Sequence, residues 1–152
     1  GGAYARAIAA LRGDIRIVQL PCQVFVALAE EGWTDTPATH SAADHYLGPL
    51  FRGPLPPDTL VLGCTHFPVL AGAIRAIIGS SVALVDSAET TALAVAEALA
   101  DDRLGSDGAA SGAGTTRFFA TDSPERFARV GEIFLGRPID AASVELIDLR
   151  AS

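Results

Sequence analysis

Residues 59–78 read TLVLGCTHFPVLAGAIRAII. The first five, TLVLG, form a short apolar run closed by a glycine, the pattern of a buried strand. Residues 66–78 (HFPVLAGAIRAII) then carry helical composition, with Pro68 in the first turn, where the missing N–H of proline is tolerated. A strand leading directly into a helix is the first half of a βαβ unit. The second half follows at once: SVALVDS (81–87) is another apolar strand, and a long alanine-rich helix covers 88–102.

The same alternation extends in both directions. Upstream, 2–12 (GAYARAIAALR) has helical composition, and 14–20 (DIRIVQL) is a short β-rich run ending at Pro21. Residues 23–31 (QVFVALAEE) return to a helix closed by Gly32. Within the mixed stretch 33–58, residues 40–51 (HSAADHYLGPLF) predict a helix interrupted near Gly48-Pro49, and 53–58 (GPLPPD) a loop. Downstream, 104–115 (LGSDGAASGAGT) reads as a flexible loop by composition. RFFAT (117–121) is a strand. DSPE (122–125) opens a helix through Leu135, with Ser123 as N-cap, Pro124 at the first position and Gly136 beyond the end. SVELIDL (143–149) is a last strand. Strands alternating with helices predict an α/β architecture with a largely parallel sheet. Ligands on such sheets bind beyond the carboxyl ends of the strands, which puts weight on the residues after TLVLG, SVALV and RFFAT.

Composition narrows the function classes. The 152 residues suffice for about one domain, and 49% hydrophobic with 19% charged residues is ordinary for a globular chain. Net charge is -7 and all 11 basic residues are arginines, scattered along the chain, which argues against nucleic acid or an anionic membrane as partner. Apolar runs are broken well before the ~18 residues a membrane span needs, and the N-terminus lacks a signal layout. Two cysteines make no disulfide framework, so a reducing cytoplasm is the expected compartment. No methionine is present, which fits either removal of an initiator methionine before Gly1 or a chain cut from something longer.

Cys64-Thr65-His66 stands at the end of strand 59–63, placing a thiol, a hydroxyl and an imidazole where an α/β sheet presents its ligand. Gly63 lets the backbone turn sharply. The N–H groups of the helix that Pro68 opens favour a carboxylate or a thiolate nearby. A thiolate there serves as nucleophile or as general base. Thr65 can hydrogen-bond a substrate carboxylate or ammonium, and His66 can orient the thiol or carry a proton. The residues alone also fit a small buried apolar Cys64. A metal site is disfavoured, because Cys-x-His supplies two ligands and zinc wants three or four. His40 and His45 lie in a polar stretch and read as surface residues. Asp86, Ser87 and Glu89 read as turn and N-cap residues that could approach the site. Nothing in the sequence decides whether Tyr4 packs or donates near the cleft. A thiol-nucleophile hydrolase or transferase using Cys64 and His66, and a non-catalytic module that binds small acids, are the competing classes.

LVLGCTHFPVL (60–70) resembles the second cysteine motif of glutamate racemases. The resemblance extends to PCQVFVALAEEGW (21–33), VALVDSAETTA (82–92), RFFATDSPERFARVGEIFLG (117–136) and VELIDL (144–149), essentially the whole chain. It implies a parallel-sheet, layered α/β fold built of two pseudo-symmetric domains, of which this chain would be the C-terminal part. Residues 1–103 would form the second domain, incomplete at its N-terminus, 104–115 a flexible loop, and 116–152 a closing segment returning to a first domain. It implies racemisation of L- and D-glutamate by two thiols on opposite faces of the α-carbon, without pyridoxal phosphate, metal or other cofactor, supplying D-glutamate for peptidoglycan in the cytoplasm. Carried over, Cys64 would act on the L-enantiomer, Thr65 and His66 would contact substrate, His66 would assist proton transfer, and Glu30 would pair with that imidazole. A surface Glu at a helix end is the plain alternative for Glu30. The family's first catalytic cysteine, followed by Asn and Thr, and its Asp-Ser segment have no match here. Cys22, whose serving as the opposing base is the alternative, falls at a family position that is not the catalytic one. The chain alone is therefore expected to be inactive. Its expected partner is glutamate, with no nucleic acid and no membrane, and a homodimer is compatible with the reading.

Overall fold

The computed structural model describes residues 2–100 and 115–148. Apart from Thr115, the segment 104–115 lies outside the described residues, as does the domain boundary expected at residue 103. The chain divides into two compact units, 1–29 with 33–91, and 30–32 with 92–152.

The first unit carries the βαβ signal of the sequence. Strands β1 (Thr59–Leu62) and β2 (Ala83–Asp86) pair in parallel, with Thr59 opposite Ala83 and Leu62 opposite Asp86. The segment joining them is not the single helix expected for 66–78. It is a 3₁₀ turn, Phe67–Leu70, followed by α4 (Ala71–Ile78). The Phe67 N–H bonds the Cys64 carbonyl three residues back, at 3.2 Å. Pro68, with no N–H, donates nothing to an α-helical ladder, so the tighter turn persists until Ala71.

Helix α3 (Pro37–Phe51) packs on α4. It starts at Thr36, whose hydroxyl accepts the Thr39 N–H at 3.3 Å, with Pro37 in the first position. The interruption expected near Gly48-Pro49 does not occur. The residue before a proline is disfavoured in a helix partly by its Cβ, and Gly48 has none. Pro49 sits in the last turn, so one lost hydrogen bond ends nothing that was not about to end.

The core of this unit gathers Cys22, Phe25 and Leu28 of the α2 (Gln23–Glu30) region, Leu47 of α3, Leu62 of β1, Leu70, Ile74 and Ile78 around α4, and Val82. Phe25 meets Tyr46 and Phe67 edge-on at 5.4 and 5.3 Å between ring centres, an arrangement aromatic quadrupoles favour. The hydroxyl of Thr39, the buried polar residue, donates to the Trp33 carbonyl. Helix α1 (Ala3–Leu11) has no fully buried residue. Residues 14–20 form no strand; Ile15, Val18 and Leu20 are exposed, and among the described residues no strand pairs with them. A β-rich composition yields a strand only where a partner takes up its hydrogen bonds.

Helix α5 (Ser87–Ala100) begins where Asp86 accepts the Glu89 N–H at 2.8 Å, so Asp86 is the cap anticipated from the sequence. In the second unit, β3 (Phe118–Ala120) and β4 (Val144–Leu146) pair in parallel, with Phe118 opposite Val144. They are joined by α6 (Pro124–Leu135) and a short 3₁₀ turn, Ala141–Ser143. Ala120, Ala128, Ile139 and Val144 form its core, with Phe118 and Phe127 packed against them. Gly131 lets Ile139 pack close: a Cβ there would fall 2.7 Å from Ile139 Cδ1, which would have to shift. Ser123 stands at the start of α6 as expected but does not cap it. Its φ of 35° is left-handed, and its hydroxyl makes no capping bond. Both sheets are parallel and helices follow their strands, so the α/β class holds. Among the described residues no helix is long and apolar enough to cross a membrane.

Candidate active site

Leu62 is buried at the end of β1, and Gly63 carries the chain off the strand. Cys64 follows, half-buried, with its Sγ 3.8 Å from Nδ1 of His66. The imidazole is also half-buried, while Thr65 between them is exposed. A thiol and an imidazole in contact at the carboxyl end of a parallel strand can pass a proton between them and present it to a ligand. The contact exists because the 3₁₀ turn folds residue 66 back over residue 64. The ring of Tyr4 lies against Gly63; a Cβ built there would be 3.1 Å from Tyr4 Cε2. Whether Tyr4 packs or donates there was undecided in the sequence, because α1 and β1 lie far apart along the chain.

The other thiol is in a different setting. Cys22 is buried in the core, its Sγ 3.7 Å from the Leu20 carbonyl, and burial pushes its pKa up. Desolvation keeps it protonated and unreactive. His40 Nε2 bonds Asp35 at 2.6 Å on the surface, and His45 stacks edge-on against Tyr46 at 5.5 Å. Neither carries site chemistry. The Asp86 carboxylate is engaged as a helix cap, and Ser87 and Glu89 belong to that helix's first turn. Among the described residues no group of three or more His, Cys, Asp or Glu side chains is placed to hold a metal ion.

Glu30 belongs to the second unit. Its carboxylate accepts from Arg126 Nη2 at 2.5 Å, and its backbone carbonyl from Arg129 Nη1 at 2.9 Å. Neither arginine was singled out from the sequence. Their i,i+3 spacing on α6, which puts both on one face, was the available signal. Glu30, Arg126, Asp122 and Ser123 border an open cleft beyond the end of β3.

No family model matches the chain. Curated proteins do. A glutamate racemase from Geobacter metallireducens is 46% identical over 134 residues, covering 88% of this chain and 48% of the relative. One from Syntrophus aciditrophicus is 44% identical over 137 residues, covering 90% and 49%. Among solved structures, glutamate racemase from Thermus thermophilus superposes with a TM-score of 0.75 at 37% identity, covering 97% of this chain and 54% of that one. The chain belongs to the glutamate racemase family. It spans about half the length of the curated relatives it matches. The superposition takes in 97% of the chain, so the glutamate racemase likeness extends well beyond the segment around Cys64.

Proposed function

We propose that this chain supplies one of the two acid/base thiols of a cofactor-independent glutamate racemase, and that this thiol is Cys64. Inverting a carbon centre by proton transfer needs a base on one face and an acid on the other. Cys64 removes the α-proton of L-glutamate, forming S–H, while the electron pair left on the α-carbon spreads into the carboxylate. A second thiol, on the part of the enzyme this chain does not span, returns a proton to the opposite face. In the reverse direction the roles exchange. Thr65 holds the substrate, and His66 binds it and relays the proton at Cys64. Glu30 sets the orientation of the imidazole. Neither pyridoxal phosphate nor a metal takes part, and the product serves peptidoglycan synthesis.

The observation that carries the reading is the 3.8 Å contact of Cys64 Sγ with His66 Nδ1 at the end of β1, in a chain 46% identical to a curated glutamate racemase. The relative from Francisella tularensis, 28% identical with a TM-score of 0.80, was crystallised with D-glutamate, which supports glutamate as substrate. Cys22 is unsuited to be the second thiol because it is buried and protonated. The test assembles this chain with the complementary half of a curated relative and follows α-proton exchange of glutamate in deuterated water by NMR. Exchange with inversion is expected, and Cys64→Ser should abolish it. Racemisation that persists in Cys64→Ser would sink the assignment. The chain alone should leave the optical activity of L-glutamate unchanged.

A further inference from the structure

We infer that Tyr4 is a positioning residue for the Cys64 thiol, acting through Gly63. The inference rests on the reading of Cys64 and His66 as a working pair. The turn that brings them together is held downstream by the Phe67 N–H to Cys64 carbonyl bond of 3.2 Å. Upstream, the strand ends at Leu62, and the next residue is a glycine with no side chain of its own to pack. Tyr4 takes that place. A Cβ at position 63 would lie 3.1, 3.5 and 3.6 Å from Tyr4 Cε2, Cδ2 and Cζ, so the ring edge occupies the volume a side chain there would use. Helix α1 buries no residue fully, yet this one aromatic is laid against the backbone directly before the thiol.

The consequence lies in the length of the thiol–imidazole contact. At 3.8 Å it is already long, so a few tenths of an ångström of freedom at Gly63 separates Sγ from Nδ1. The ring limits that freedom from one side while the 3₁₀ turn limits it from the other. The packing atoms belong to the ring and not to the hydroxyl, so phenylalanine should serve equally well.

The readout is the rate at which iodoacetamide alkylates Cys64, measured by peptide mass spectrometry on this chain. The quantity of interest is the ratio of rates with and without His66→Gln. With tyrosine at position 4, His66→Gln should slow Cys64 several-fold. In the Tyr4→Ala background the same change should have almost no effect, and Tyr4→Phe should restore the full ratio. A merely structural role would change both rates together and leave the ratio alone. Cys22 serves as the internal control, since it stays unalkylated while the first unit is folded. If Tyr4→Ala exposes Cys22, Gly63→Ala replaces it; its added methyl pushes the ring away and should collapse the ratio while Cys22 stays unalkylated. An unchanged His66 ratio in folded Tyr4→Ala or Gly63→Ala overturns the inference. A ratio near unity with tyrosine in place refutes instead the pairing of Cys64 with His66 on which it rests.

Discussion

Arg126 donates to the Glu30 carboxylate at 2.5 Å, although 96 positions separate the two residues. The arginine side chain is 63% exposed and that of Glu30 31%, so the pair lies in the range where solvent screening leaves ~0–1 kcal/mol. Its worth to the fold is small, and its effect on where the carboxylate points is what distinguishes it. Glu30→Gln keeps the size of the side chain and removes the charge. In the assembled enzyme it should lower α-proton exchange by up to about a hundredfold, the low end of what a positioned acid/base such as the imidazole it orients contributes. The melting transition of this chain should move by less than ~1 kcal/mol. Exchange at the original rate would return Glu30 to the role of a surface residue.

Burial raises the pKa of Cys22, and this makes stability depend on alkaline pH. The folded state retains the thiol proton at pH values where the unfolded chain has already lost it. The native state then binds more protons than the unfolded one, so stability falls as pH rises. The contribution is complete below the ordinary thiol range and disappears as pH climbs through the raised folded value. Urea unfolding compared at about pH 7 and about pH 10 should show that loss, and Cys22→Ala should show a shallower one. Equal slopes in the two proteins would contradict a buried, protonated Cys22.

The local parts of this structure were legible in the sequence. Strands 59–62 and 83–86 fall inside the apolar runs TLVLG and SVALVDS, and Cys64 with His66 follows the first of them because a glycine ends the run. What was missed depends on groups distant in the chain or on a single torsion. Arg126 reaches Glu30 through folding that no periodicity encodes, and the same holds for the packing of Tyr4 on Gly63, which the sequence left undecided. The run 14–20 has strand composition but no partner strand. Ser123 has the chemistry of a cap, but its left-handed backbone denies the hydroxyl a capping bond.

Pro49 provides a test of the helix that was expected to break. It is exposed in the last turn of α3, so its ring has little buried surface to lose. Pro49→Ala restores an N–H that can bond the carbonyl four residues back and removes the ring's clash with that turn, effects worth up to ~3 kcal/mol in a helix interior. Greater freedom of the unfolded chain offsets ~1 kcal/mol of this. A net gain of about 1 kcal/mol in the thermal melt is expected, because a site in the last turn feels less than an interior one. A loss of stability would mean that Pro49 holds the turn into Arg52 in a way its exposure does not suggest.

Ile74 tests whether the core of the first unit protects Cys22. It is 1% exposed on α4 and belongs to the same buried cluster as Cys22, Phe25 and Leu62. Ile74→Ala removes three methyl or methylene carbons from a packed interior and should cost 2–5 kcal/mol, on the order of other large-to-small core changes. Alkylation of Cys22 needs the core to open, and its rate follows the population of the open state when opening is fast. At ~1.4 kcal/mol per factor of ten, the Cys22 rate should rise by about thirtyfold or more. Cys64, already half-exposed, should change far less, because its access does not wait on that opening. Equal acceleration of both thiols would show that Cys64 too is reached only through unfolding, and the open site described for it would then be wrong.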